Sequence, residues 1–155
     1  MTAAAVRSAL VATLQTIDGT GSYTLDLSAS THEGVPPAGR PAGSVAYVYR
    51  GEGSYSRDPD ATLGGWMRTG RWGVTVYATS DSTAAADREG LLDTMESDIM
   101  AALDASLLSG GALGAANVID VQQVEMRPIF GSQPGAQSHP VALDVVITLA
   151  FIRGR

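Results

Sequence analysis

Residues 87–103 read DREGLLDTMESDIMAAL, and what they form sets the architecture on either side. Leu92, Met95, Ile99 and Leu103 recur at spacings of three and four, and Leu107 continues the series. That period predicts an amphipathic helix from Thr83 to Leu108, stopped by Ser109-Gly110-Gly111. Asp87, Glu89, Asp93, Glu96, Asp98 and Asp104 fill the remaining positions, giving one apolar and one acidic face. Upstream, RWGVTVYA (71–78) places Trp72, Val74 and Val76 on one side of a strand that begins near Trp66. Downstream, NVIDVQQVEMRPI (117–129) reads as a strand ending at Pro128. VALDVVITLAFIR (141–153) follows, with Val141, Leu143, Val145, Ile147, Leu149 and Phe151 all apolar at alternate positions. That pattern suits an interior strand of an antiparallel sheet.

Nearer the start, Thr2 is placed to cap a helix carrying Ala3, Val6, Leu10, Leu14 and Ile17 on one face, ended by Asp18-Gly19. Tyr23, Leu25 and Leu27 alternate with polar residues and predict a first strand. SVAYVYR (44–50) predicts a second, with Val45, Tyr47 and Tyr49 on one face. Ser28–Pro41 and GEGSYSRDPDATLGG (51–65) are rich in Gly and Pro and predict loops, as does FGSQPGAQSHP (130–140). The order is helix, three strands, helix, two strands. Without βαβαβ alternation this is an α+β domain, a mainly antiparallel five-stranded sheet with two helices on one face.

The 155 residues suit a single domain, 1–155, with one core. No apolar run reaches the ~18 residues of a membrane span. The N-terminus also lacks the basic start and solid apolar block of a secretory signal. A formal net charge of −6 argues against a protein that coats duplex nucleic acid by neutralising phosphates. All basic residues are Arg, so Lys nucleophiles and P-loop chemistry are excluded. The absence of Cys removes disulfides, thiolate nucleophiles and Cys-based zinc sites.

Few residues remain as candidates for chemistry. His32-Glu33 is the one acid–base pair adjacent in sequence, but no orienting partner accompanies it, and a solvated loop histidine is the simpler reading. His139 precedes Pro140, where the chain is held extended. Asp58-Pro59-Asp60 near Glu52 offers oxygen ligands without the spacing of a calcium loop, so it reads as a turn. Gly51-Glu52-Gly53 and Gly110-Gly111 do not follow a strand and open a helix as phosphate cradles do. Tyr55, Arg57 and Arg68 point instead to a protein contact, because Tyr and Arg are enriched at interfaces. Phe130 joins them from the second long loop. The acidic helix face is a solvated surface or a wall that repels nucleic acid.

The whole plan resembles the tail terminator (tail completion) proteins of long-tailed bacteriophages and gene-transfer particles. The resemblance runs through nearly the whole chain: the helix ending at Asp18-Gly19, the Tyr23–Leu27 segment, the Tyr/Arg-rich loop leading to RWGVTVYA, the acidic helix, and the closing strands ending in VVITLAFIR. It rests on element order and pattern, not on a short motif. It implies an α+β virion protein, assembled in the host cytoplasm, that is not an enzyme and uses no cofactor or metal. Such a protein forms a homo-oligomeric ring, a hexamer, at the head-proximal end of the tail tube. The ring touches the tube protein and the head–tail connector, stops tube growth, and lets DNA pass through its lumen without specific binding. Tyr55, Arg57, Arg68 and Phe130 would then be interface residues. Neighbouring readings are a head–tail connector or a tail tube subunit. From another class, a small-ligand-binding regulatory or enzyme domain fits the same elements.

Overall fold

Thr2 begins the first helix as its sequence position suggests. Its hydroxyl accepts the Ala5 N–H at 3.2 Å, satisfying one of the helix's otherwise unpaired donors. The computed structural model describes residues 2–39, 41, 43–57, 66–80, 85–108, 110–130 and 139–152, excluding the side chains at 55–57, 66, 67, 80, 85, 86, 130, 139, 140 and 152. Helix α1 (Ala3–Leu14) buries Val6, Leu10 and Leu14 at four-residue spacing. Helix α2 (Ala85–Leu107) buries Leu92, Met95, Ile99 and Leu103, each worth roughly 1.5–3 kcal/mol of transfer free energy. A third helix, the single turn α3 (Ala112–Ala115), follows it, one more than the two the sequence predicts. No helix is long and apolar enough to cross a membrane among the described residues.

The strands are β1 (Thr31–Glu33), β2 (Val45–Arg57), β3 (Trp66–Ser80), β4 (Val118–Phe130) and β5 (His139–Ile152). They form one sheet in the order β1-β2-β3-β5-β4. All neighbouring pairs are antiparallel except β1 and β2, which are parallel, so the sheet is mixed. The α+β class and the number of strands are as the sequence predicts, although the first strand is a different segment. The core lies between the helices and one face of the sheet, built on Trp72, Val74 and Val76 of β3 and the odd-numbered residues of β5. Trp72 and Phe151 meet there with ring centroids 5.8 Å apart.

Three expectations are corrected. Residues 23–27 form no strand. Leu25 and Leu27 are buried as the alternation required, yet the Thr24 and Leu25 N–H groups donate to the Asp98 carboxylate at 2.9 and 2.8 Å, not to a neighbouring strand. The stretch 28–41 is not all loop, since Thr31–Glu33 pairs with Ala46–Val48. Residues 51–57 extend β2, paired with β3 beyond a register shift between Arg50 and Gly53. The remainder of that segment, 58–65, lies outside the described residues.

The topology also fixes two directions. The β2–β3 connection lies beyond the Arg57↔Trp66 pair, and the β4–β5 connection lies beyond Phe130↔Val141. Because β3 and β5 run antiparallel from Met67↔Ile152 to Ser80↔His139, the two hairpins turn at opposite ends of the sheet. With roughly 3.3 Å per residue, the 15 residues of β3 span roughly 50 Å between those ends.

Candidate functional site

The sheet face away from the helices carries the most distinctive surface. A parallel pair requires the chain to cross back before the second strand. Between β1 and β2 the crossing is made by 34–44, entered at Gly34 in the left-handed region (φ +115°). The helix side is occupied by α1, and on the other face Pro36, Pro37, Ala38 and Gly39 roof a cleft of about 380 Å³. Its remaining lining is Tyr49, Thr75, Tyr77, Ile129, Ala142 and Asp144.

The register explains this grouping. Tyr47, Thr75, Asp144 and Arg127 form one row across β2, β3, β5 and β4, while Val45, Tyr77, Ala142 and Ile129 form an adjacent row. Tyr49 pairs with Gly73 on the opposite flank, and its ring occupies the space over that glycine: a Cβ at 73 would sit 2.2 Å from ring atoms. Tyr77 stands edge-on to Tyr47, with centroids 6.2 Å apart and an interplanar angle of 83°. His32 stacks on the other side of Tyr47 at 5.5 Å. The buried Thr75 hydroxyl donates to Asp144 Oδ1 at 2.8 Å.

His32 and Glu33 are thereby separated. Adjacent residues of a strand point to opposite faces, so His32 joins the tyrosines while Glu33 turns to α1. Glu33 accepts from the Ser8 hydroxyl at 2.7 Å and Arg7 Nε at 3.0 Å. The Ser8 hydrogen bond, helped by Arg7, holds the Glu33 carboxyl below its ordinary range. Asp18 is lowered likewise by the Thr20 hydroxyl and N–H, which it accepts at 2.7 and 3.0 Å. Both shifts come from local structure at helix α1 and its exit. Among the described residues, no group of three or more His, Asp and Glu gathers as a metal site. Asp58-Pro59-Asp60 lies outside those residues.

Of the foreseen interface residues, Tyr55 and Arg57 belong to the end of β2, paired with Arg68 and Trp66. Phe130 ends β4 opposite Val141. None of the three is a loop residue, and their side chains lie outside the description. Arg68 is buried, with its guanidinium 5.7 Å from the Phe151 ring centroid, so it serves the packing of this sheet. The acidic face of α2 is real for Asp87, Glu89, Asp93 and Asp104, which are exposed. Asp98 departs from it: at 3% exposure, it is the acceptor for the 24–25 backbone. The cleft itself escaped the sequence reading, although the alternation of Tyr47 and Tyr49 marked its face.

No family model and no curated protein matches the chain. Among solved structures it is similar to a chain of the "Virion of native gene transfer agent (GTA) particle", at 19% identity, covering 95% of this chain and 92% of that one, with a TM-score of 0.31.

Proposed function

We propose that this chain is a structural virion protein, a ring-forming subunit that caps the head-proximal end of a tail tube, stops its polymerisation and joins tail to head. The observation that carries the reading is the opposed direction of the two hairpins in one continuous sheet. A tube grows because each added ring presents the surface that recruits the next. A terminator must match that surface at one end and offer a different one at the other. Two hairpins with unrelated sequences, held roughly 50 Å apart by β3, supply two such ends in a single subunit. Head-to-tail contacts between copies close into a ring, with six copies as the resemblance implies. The partners are then the tube protein at one end and the connector at the other. The exposed carboxylates of α2 and the net charge of −6 suit a protein past which DNA runs without sticking. The role is one of contact and needs no reaction.

Deleting the gene should give tails of irregular, excessive length beside unjoined filled heads, and purified protein added to growing tubes should halt extension. Tyr55→Ala with Arg57→Ala should impair assembly while the melting temperature of the subunit stays unchanged. Tails of normal length that merely fail to join heads would transfer the role to the connector. Unchanged particles would refute the virion reading.

A further inference from the structure

We infer that the cleft on the open sheet face is a receptor for an arginine side chain presented by a partner protein. The inference is independent of the tail-capping role. Its walls are the Tyr49 and Tyr77 rings, and each is held in place: Tyr49 lies on Gly73, and Tyr77 stands against Tyr47. The faces of aromatic rings carry partial negative charge and attract cations, guanidinium more often than ammonium. The Asp144 carboxylate closes one side. Thr75 orients its carboxylate through Oδ1, and no described residue forms an ion pair with it. Arg127, its register neighbour on β4, does not line the cleft, and Glu125 beyond is already paired with Arg71 at 3.2 Å.

Pro36 and Pro37 roof the space with stiff apolar surface suited to the methylene stem of arginine. A guanidinium seated beside the tyrosine rings and donating to the Asp144 carboxylate suits this lining. A carboxylate or phosphate would meet Asp144, a group of its own sign. A purely apolar side chain would bury the Asp144 carboxylate with the Thr75 hydroxyl as donor but without a counter-charge, which is costly. The charge of the site therefore selects a cation, and its aromatic lining favours guanidinium over ammonium.

The test titrates the full chain with N-acetyl-arginine amide and a short arginine-containing peptide, following the Thr75, Tyr77 and Ala142 amides by NMR. Saturable shifts at those three positions are expected. Asp144→Asn keeps an acceptor for Thr75 and should weaken binding about tenfold, equal to ~1.4 kcal/mol. Ala142→Leu fills the floor without touching any charge and should abolish binding; thermal denaturation checks that both variants are folded. The same peptide with citrulline in place of arginine should not bind. Equal affinity for citrulline, unchanged affinity in folded Asp144→Asn, or shifts confined to the acidic face of α2 would each overturn the assignment.

Discussion

Replacing Asp98 by Ala tests the tie between α2 and the segment that follows α1. The carboxylate is 3% exposed, and its Oδ2 accepts two backbone donors, Thr24 N–H at 2.9 Å and Leu25 N–H at 2.8 Å. Alanine leaves both donors without a partner. Stranding a buried donor costs about 1–3 kcal/mol, and more when the lost acceptor was charged. The Leu25 donor is buried and bears the full cost, whereas the Thr24 donor is half-buried and bears less. Removing the charge also recovers part of its desolvation penalty. The net loss is about 3 kcal/mol, which for a chain of this length lowers the melting temperature by about 6–12 °C. Asp98→Asn retains an oxygen that can accept both bonds and should lose less than half as much. Thermal denaturation gives the first number, and amide hydrogen exchange at Thr24 and Leu25 locates it. An Asp98→Ala protein that melts within about 2 °C of the parent, with both amides still protected, would refute the reasoning.

Ser106 joins three elements. Thr13 Oγ1 donates to the Ala9 carbonyl at 2.8 Å, which directs the Ser106 proton to Thr13 at 2.6 Å, and Ser106 Oγ in turn accepts Leu113 N–H at 3.0 Å. Ser106→Ala should therefore cost about 2 kcal/mol in chemical denaturation, from one stranded buried amide and a lost hydroxyl pair. Gly73→Ala places a methyl group 2.2 Å from the Tyr49 ring and should destabilise by about 1–3 kcal/mol, with near-UV circular dichroism reporting the displaced tyrosine. The depressed Glu33 carboxyl contributes stability that is present above its unfolded pKa and is lost as pH falls through the lower folded value. Glu33→Gln should accordingly flatten the acid limb of the stability–pH curve and leave the slope near neutrality unchanged.

Where burial and periodicity agree, the sequence was a good guide. Helix α2 and strand β5 were legible because Leu92, Met95, Ile99 and Leu103 keep the helical period and Val141 to Phe151 keep the strand period against a single core. Residues 23–27 show how the same signal misleads. Their alternation of burial is real, but alternation says nothing about where the backbone donors go, and Asp98, 73 residues distant from Leu25, takes them. Strand β1 was hidden because it is three residues long and parallel, inside a stretch dominated by Gly and Pro. The far part of β2 carries no period because Arg50–Ser54 is exposed throughout, so neither face is selected for apolar residues. The cleft depends on a return segment folding over the sheet, and Pro36–Gly39 in sequence gives no hint of which face it will cover.

The ladder between β3 and β5 runs from Met67↔Ile152 to Ser80↔His139 without a break, and both strands are pinned by core side chains. Residues can be added at either hairpin turn without shifting that register, because a slip by one residue would exchange buried and exposed faces along the whole strand. Each end of the subunit is therefore open to insertion and sequence drift while the other keeps its shape. A lineage of such chains can change what it meets at one end and retain its partner at the other. Chimaeras that exchange one hairpin turn between distant relatives should fold, and should carry over the contacts of that end alone.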